Sequence, residues 1–155
     1  MRVTFARPAD HEIAYAVVER DDGVVYRLRG SRAGTALPHD IRHLIVEREL
    51  GVTDGVWGGI AAGALFARER VLRAELLADL VERVAGLDDP TLEEIRLLTR
   101  KEFTGIGEPA PRPEALLFAA RAMQVEAARW ARLRPGQELR YEWPSPPVPN
   151  PRQAP

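Results

Sequence analysis

The sequence predicts an α+β fold: an N-terminal three-stranded antiparallel meander packed against about four helices, followed by a proline-rich tail. Three observations carry this reading. Apolar residues alternate with polar ones as far as residue 29, then recur at helical spacing from residue 38 onward. Glycine and proline punctuate the chain where one periodic segment gives way to the next. Six of the thirteen prolines fall within residues 144–155, a composition that favours extended polyproline conformations and cannot bury a core. The expected organisation is one globular domain over 1–143 and an extended tail over 144–155.

The strands come first. Val3 and Phe5 alternate with polar neighbours, as do Ile13, Tyr15 and Val17, and then Val24, Tyr26 and Leu28. Pro8 to Asp10 makes the first turn. Asp22-Gly23 makes the second, since a tight hairpin needs positive φ, which glycine adopts freely. Residues 30–36 are small, and a helix is expected between Pro38 and Gly51, with Ile41, Leu44, Ile45 and Arg48 at helical spacing and Val46 breaking a clean stripe. The Gly-rich run 55–59 leads into a long helix, roughly 60–85, whose buried stripe is Leu65, Leu72, Leu76, Leu80 and Val84. Asp89-Pro90 reads as an N-cap and first-turn proline for a helix over about 90–103, with Leu92, Ile95 and Leu98 inward. Pro113 opens the last helix, which buries Leu116, Ala120, Met123, Ala127 and Trp130 and closes at Pro135-Gly136. Residues 138–143 offer a short returning strand.

Composition excludes several classes. With 155 residues the chain buries a core without cross-links, and it has no cysteine for disulfides, thiol nucleophiles or thiolate zinc sites. The balance of 22 basic against 23 acidic residues argues against a dedicated nucleic-acid binder, which needs excess cations. The first fifteen residues lack the apolar stretch of a secretory signal, and the longest apolar run, 55–67, is too short to span a bilayer. No membrane partner and a cytoplasmic location are expected. Among the basic residues only Lys101 is lysine; with heavy use of Ala, Gly and Pro, this looks like the codon bias of a GC-rich bacterial genome.

One constellation carries chemistry. His39 and His43 are two of three histidines, four residues apart. If the helix includes residue 39, both imidazoles project from one face and reach one divalent ion, zinc or a similar metal. If Asp40 is instead the N-cap, His39 falls outside the helix and the shared face disappears. Glu47 lies roughly 12 Å further along the helix axis than His39, too far to join both histidines on one ion. It is placed to orient His43 instead. A third ligand must come from another element. Trp57 is either the floor of a pocket or a packing anchor. Gly59 and Gly63 would allow close backbone approach, and the Gly-rich turn ahead of them could present amides to an anion. Glu93, Glu94, Arg121, Arg129 and Arg132 read as solvated helix faces.

The His39-Asp40-Ile41-Arg42-His43 run resembles the H-E-x-x-H helices of zincin metallohydrolases. The resemblance implies a glutamate ligand from a downstream helix, for which Glu69 and Glu75 are the natural candidates, and places Asp40 where those helices carry the water-activating base. Aspartate is one methylene shorter there. The His39-Asp40 pair also resembles the core of HD-domain phosphohydrolases, a family that needs an upstream histidine; only His11 is available, in a predicted strand. Residues 36–66, with Leu37-Pro38-His39-Asp40, His43, Val46-Glu47, Leu50-Gly51 and Gly55-Val56-Trp57-Gly58, resemble small uncharacterised proteins of GC-rich bacteria.

The leading expectation is a divalent-metal-binding protein, using metal-assisted hydrolysis if it is catalytic. The alternative is a non-enzymatic interaction or accessory module with no metal, oligomeric or holding a protein partner through its C-terminal tail.

Overall fold

The computed structural model describes residues 1–9, 12–32, 34, 36–64, 71–104 and 109–144. Its strands β1 (Arg2–Ala6), β2 (Ile13–Glu19), β3 (Val25–Arg32) and β4 (Glu138–Glu142) form one antiparallel sheet in the order β3-β2-β1-β4. The predicted meander is present, and the returning strand extends it on the free side of β1. The hairpin forms at Asp22-Gly23, with Gly23 at φ 84° and the Arg20 amide donating to the Val24 carbonyl at 2.9 Å.

On β2 the face buried against the helices carries Ala14, Ala16 and Val18, one residue out of step with the larger Ile13, Tyr15 and Val17. Size alone misleads here. The inward positions go to alanines, while Tyr15 stays on the outer face beneath the Arg27 guanidinium, 4.3 Å from its ring centre. Val3 and Phe5 on β1 and Leu139 and Tyr141 on β4 complete the inner face.

The helices are α1 (His39–Leu50), α2 (Val56–Ala61), α3 (Val71–Ala85), α4 (Leu92–Phe103) and α5 (Pro113–Arg132). Among the described residues five helices stand where about four were expected, because the segment read as one helix is interrupted. Its Gly-rich start is itself helical, α2 ends at Ala61, and Gly63 turns the chain at φ 101°. Residues 65–70, including Leu65, lie outside the described residues. The stripe expected on α3 is rotated: Leu72 is 86% exposed, and the core takes Ala74, Leu77, Ala78, Leu80, Val81 and Val84. On α4, Thr91 rather than Asp89 is the N-cap. Its hydroxyl accepts from the Glu94 amide, and the Glu94 carboxylate accepts from the Thr91 amide, a reciprocal capping box. The helix buries Ile95, Thr99 and Phe103 and leaves Leu92 exposed. Helix α5 begins at Pro113 as expected and buries Leu116, Ala120, Met123 and Trp130, with Ala119 and Glu126 added.

Helix α1 is the central element, contacted by β3, α2, α3 and α5. Ile41, Leu44, Ile45 and Val46 are all fully buried. A helix covered on most sides has no one-sided stripe, which is why Val46 breaks the pattern. Among the described residues no helix is long and apolar enough to cross a membrane. Residues 145–155, most of the expected tail, lie outside the described residues.

One polar contact ties β4 to α5. The Tyr141 hydroxyl donates to Glu126 Oε2 at 2.7 Å in the interior, and Arg129 donates to Glu126 Oε1 at 2.7 Å. Burial and the Glu126 carboxylate hold the phenol proton well above its usual range. Tyr141→Phe leaves a buried carboxylate oxygen without its donor, so it lowers unfolding free energy by about 2 kcal/mol. Urea denaturation measures this; an unchanged midpoint would show that Arg129 alone satisfies Glu126.

Candidate metal centre

Helix α1 begins early enough to include His39. Pro38 sits at the N-cap with extended backbone, φ −56° and ψ 143°, so His39 is the first helical residue and Asp40 the second. Proline has no amide hydrogen to leave unpaired at a helix start. Both imidazoles therefore lie on one face a turn apart, with ring centres separated by 4.5 Å.

Helix α3 packs alongside α1 and supplies the third group. Glu75 reaches between the rings: Oε1 lies 3.5 Å from His39 Nε2, and Oε2 lies 3.2 Å from His43 Nε2. One ligand atom from each of His39, His43 and Glu75 lies within 4.8 Å of the others, so the three form a group that could hold a metal ion. His43 forms the floor, its side chain 4% exposed, while His39 and Glu75 are 45% and 40% exposed at the mouth.

The environment of His43 is unusual. Both ring nitrogens are buried, and neither makes an aligned hydrogen bond among the described residues, although Nε2 is close to Glu75. Burial by itself pushes the imidazolium pKa down. The Glu47 and Glu75 carboxylates outweigh it, and the net displacement is upward.

The other expected residues occupy distinct places. Asp40 is half-buried outside the group, its Oδ2 packed so closely against Gly30 of β3 that a Cβ there would meet it at 2.5 Å. Burial raises its carboxyl pKa, and His39 and His43 act against that rise. Trp57 is fully buried, packs edge-on to Phe5 with ring centres 5.8 Å apart, and donates its indole N–H to the Asp40 carbonyl at 3.0 Å. It is a packing anchor. Glu69 and His11 lie outside the described residues.

Glu47 has a role that its spacing from His43 does not announce. Its Oε1 is 3.8 Å from His43 Nδ1. The same carboxylate, fully buried, accepts from the amides of Val56, Trp57 and Gly58 at 2.9, 2.8 and 3.3 Å. The Gly-rich turn does present amides to an anion, and the anion is internal. Gly55 and Gly58 make close approaches at this junction: a Cβ at Gly55 would fall 2.4 Å from the Glu47 carboxyl carbon, and one at Gly58 would fall 2.1 Å from the Thr53 carbonyl oxygen. A signal was present in the sequence. A helix starting at Gly55-Val56-Trp57 has no Ser, Thr, Asp or Asn at its cap, so an acceptor must come from elsewhere.

Arg42 also escaped the sequence reading. It pairs with Glu82 of α3, and its Nη2 lies 3.4 Å from His39 Nδ1, tying the mouth of the group to the neighbouring helix.

No family model matches the chain, and neither a curated protein nor a solved structure does so.

Proposed function

We propose that the protein binds a divalent metal ion, zinc in the first instance, through His39, His43 and Glu75. The observation that supports this most directly is the convergence of three ligand atoms, one each from His39, His43 and Glu75, within 4.8 Å of one another, with His43 nearly fully buried. Two imidazoles and one carboxylate suit zinc, and three protein ligands leave a position for water. Zinc lowers the pKa of such water toward neutrality, the chemistry of a metal-assisted hydrolase. Asp40 is the base that the sequence offers for that water. Its carboxylate packs against Gly30, so the geometry supports metal binding ahead of catalysis.

Purified protein reconstituted with zinc and freed of excess is expected to carry about one equivalent by elemental analysis. Failure to retain zinc, cobalt or manganese overturns the proposal.

The raised pKa of His43 makes the pH dependence specific. The folded chain holds this proton more tightly than the unfolded chain does. The resulting stability is fully present below about pH 6.5 and is lost as pH rises through the folded value. Metal needs the unprotonated ring, so zinc affinity runs the opposite way and climbs over the same interval. Zinc titrations from about pH 6 to 8.5 check the sign, and an affinity that falls with pH would refute it.

A further inference from the structure

Helix α4 packs on α3 and α5 through Ile95, Thr99 and Phe103. Leu97 stands on the opposite face of the helix, 56% exposed. A groove of about 450 Å³ opens beside it, walled by Leu87, Pro90, Leu97 and Leu98, with Glu94 and Lys101 in the same lining. Charge is ordered around this leucine. Glu93 and Glu94 occupy the first turn of the helix, and Arg100 and Lys101 occupy the last. Glu93 and Arg100 are two turns apart and share one flank of Leu97; Glu94 and Lys101, also two turns apart, share the other. Arg100 and Lys101 are exposed and have no ion-pair partner among the described residues. Glu93 pairs with Arg96 of its own helix, and Glu94 commits only Oε2 to the cap. The helix dipole accounts for acid at the start and base at the end. It does not account for a large apolar side chain exposed between them at the lip of an apolar groove.

We infer that this face binds a second copy of the chain, in an antiparallel α4–α4 contact with Leu97 on the two-fold axis. Such an axis sets each flank of the helix against the same flank of the other copy, running the opposite way. Glu93 then faces Arg100 of the second copy, and Glu94 faces its Lys101. The axis makes each pair twice. A parallel contact would instead set acid against acid at one end and base against base at the other, so charge selects the antiparallel one. The two Leu97 side chains meet at the centre and cover the lips of both grooves. A helix of 12 residues is about 18 Å long. The contact therefore lies at the small end of specific interfaces, and its dissociation constant is expected in the micromolar range. The inference does not depend on metal binding.

The test is sedimentation equilibrium on the metal-free, full-length protein from about 1 to 300 µM. The mass is expected to rise from that of one chain toward that of two and to stop there, because a two-fold contact closes. Leu97→Glu puts two carboxylates on the axis and holds the chain as a monomer throughout. Glu93→Arg and Arg100→Glu each set like charges across one flank and weaken association by about tenfold or more. Mixed in equal amounts, these two variants face each other with opposite charges again, and association returns. Circular dichroism confirms that each variant is folded. A monomer at the highest concentration overturns the inference, as do assemblies larger than two. So does dimerisation unchanged in folded Leu97→Glu, or a mixture of the charge variants that associates no better than its components.

Discussion

Alanine in place of His39 lowers zinc affinity by about a hundredfold or more, while the unfolding free energy moves by less than about 0.5 kcal/mol. The two effects separate because of where the ring sits. His39 is 45% exposed at the first position of α1 and contributes little to the core, yet it supplies one of only three protein ligands in the proposed centre. His43→Ala is expected to lose metal to a similar extent and to destabilise the chain as well, because its ring fills interior space between Glu47 and Glu75. Glu75→Gln keeps the side-chain shape and removes the negative charge, so it weakens zinc binding without disturbing α3. Isothermal titration beside urea denaturation reads both quantities on each variant. Stoichiometric zinc with undiminished affinity in His39→Ala would show that the pair on α1 is not the site.

The residues of this centre were legible to different degrees. Two imidazoles a turn apart are a local property of α1, so His39 and His43 could be read from spacing once the helix start was known. That start was the weak point, because Asp40 competes with Pro38 for the cap and only the backbone at Pro38 decides between them. Glu75 could be named only as one of two acids, because its selection depends on how α3 rotates against α1. The same rotation exposes Leu72, which a helical pattern alone would bury. The strands show the parallel case. Alternation revealed that β2 exists, but it does not tell which of the two alternating sets turns inward, and the buried set is Ala14, Ala16 and Val18 rather than Tyr15. Long-range pairings left no local trace: Arg42 with Glu82, Tyr141 with Glu126, and β4 beside β1.

The largest loss of stability is expected at Glu47. Glu47→Ala removes the common acceptor of three amides at the start of α2, and at least two of those donors cannot find another partner in a closed interior. Each orphaned buried donor costs about 1–3 kcal/mol, and the expected total is about 4 kcal/mol, or roughly 10–15 °C in Tm. That is a large share of the 5–15 kcal/mol that holds a typical domain together. Glu47→Gln retains one acceptor oxygen and costs about half as much. Gly58→Ala arrives at the same junction from the other side: its Cβ cannot coexist with the Thr53 carbonyl, so the turn between α1 and α2 must open and the amides withdraw from the carboxylate. If both substitutions break one unit, the double variant falls well short of the sum of the two losses, because an acceptor already removed cannot be lost twice. Full additivity would mean that the carboxylate and the glycine act independently. Zinc affinity adds a second readout, since Glu47 faces His43 Nδ1 at 3.8 Å: Glu47→Gln weakens zinc binding by about tenfold if that carboxylate also steadies the ring, and leaves it unchanged if its role ends at the cap of α2.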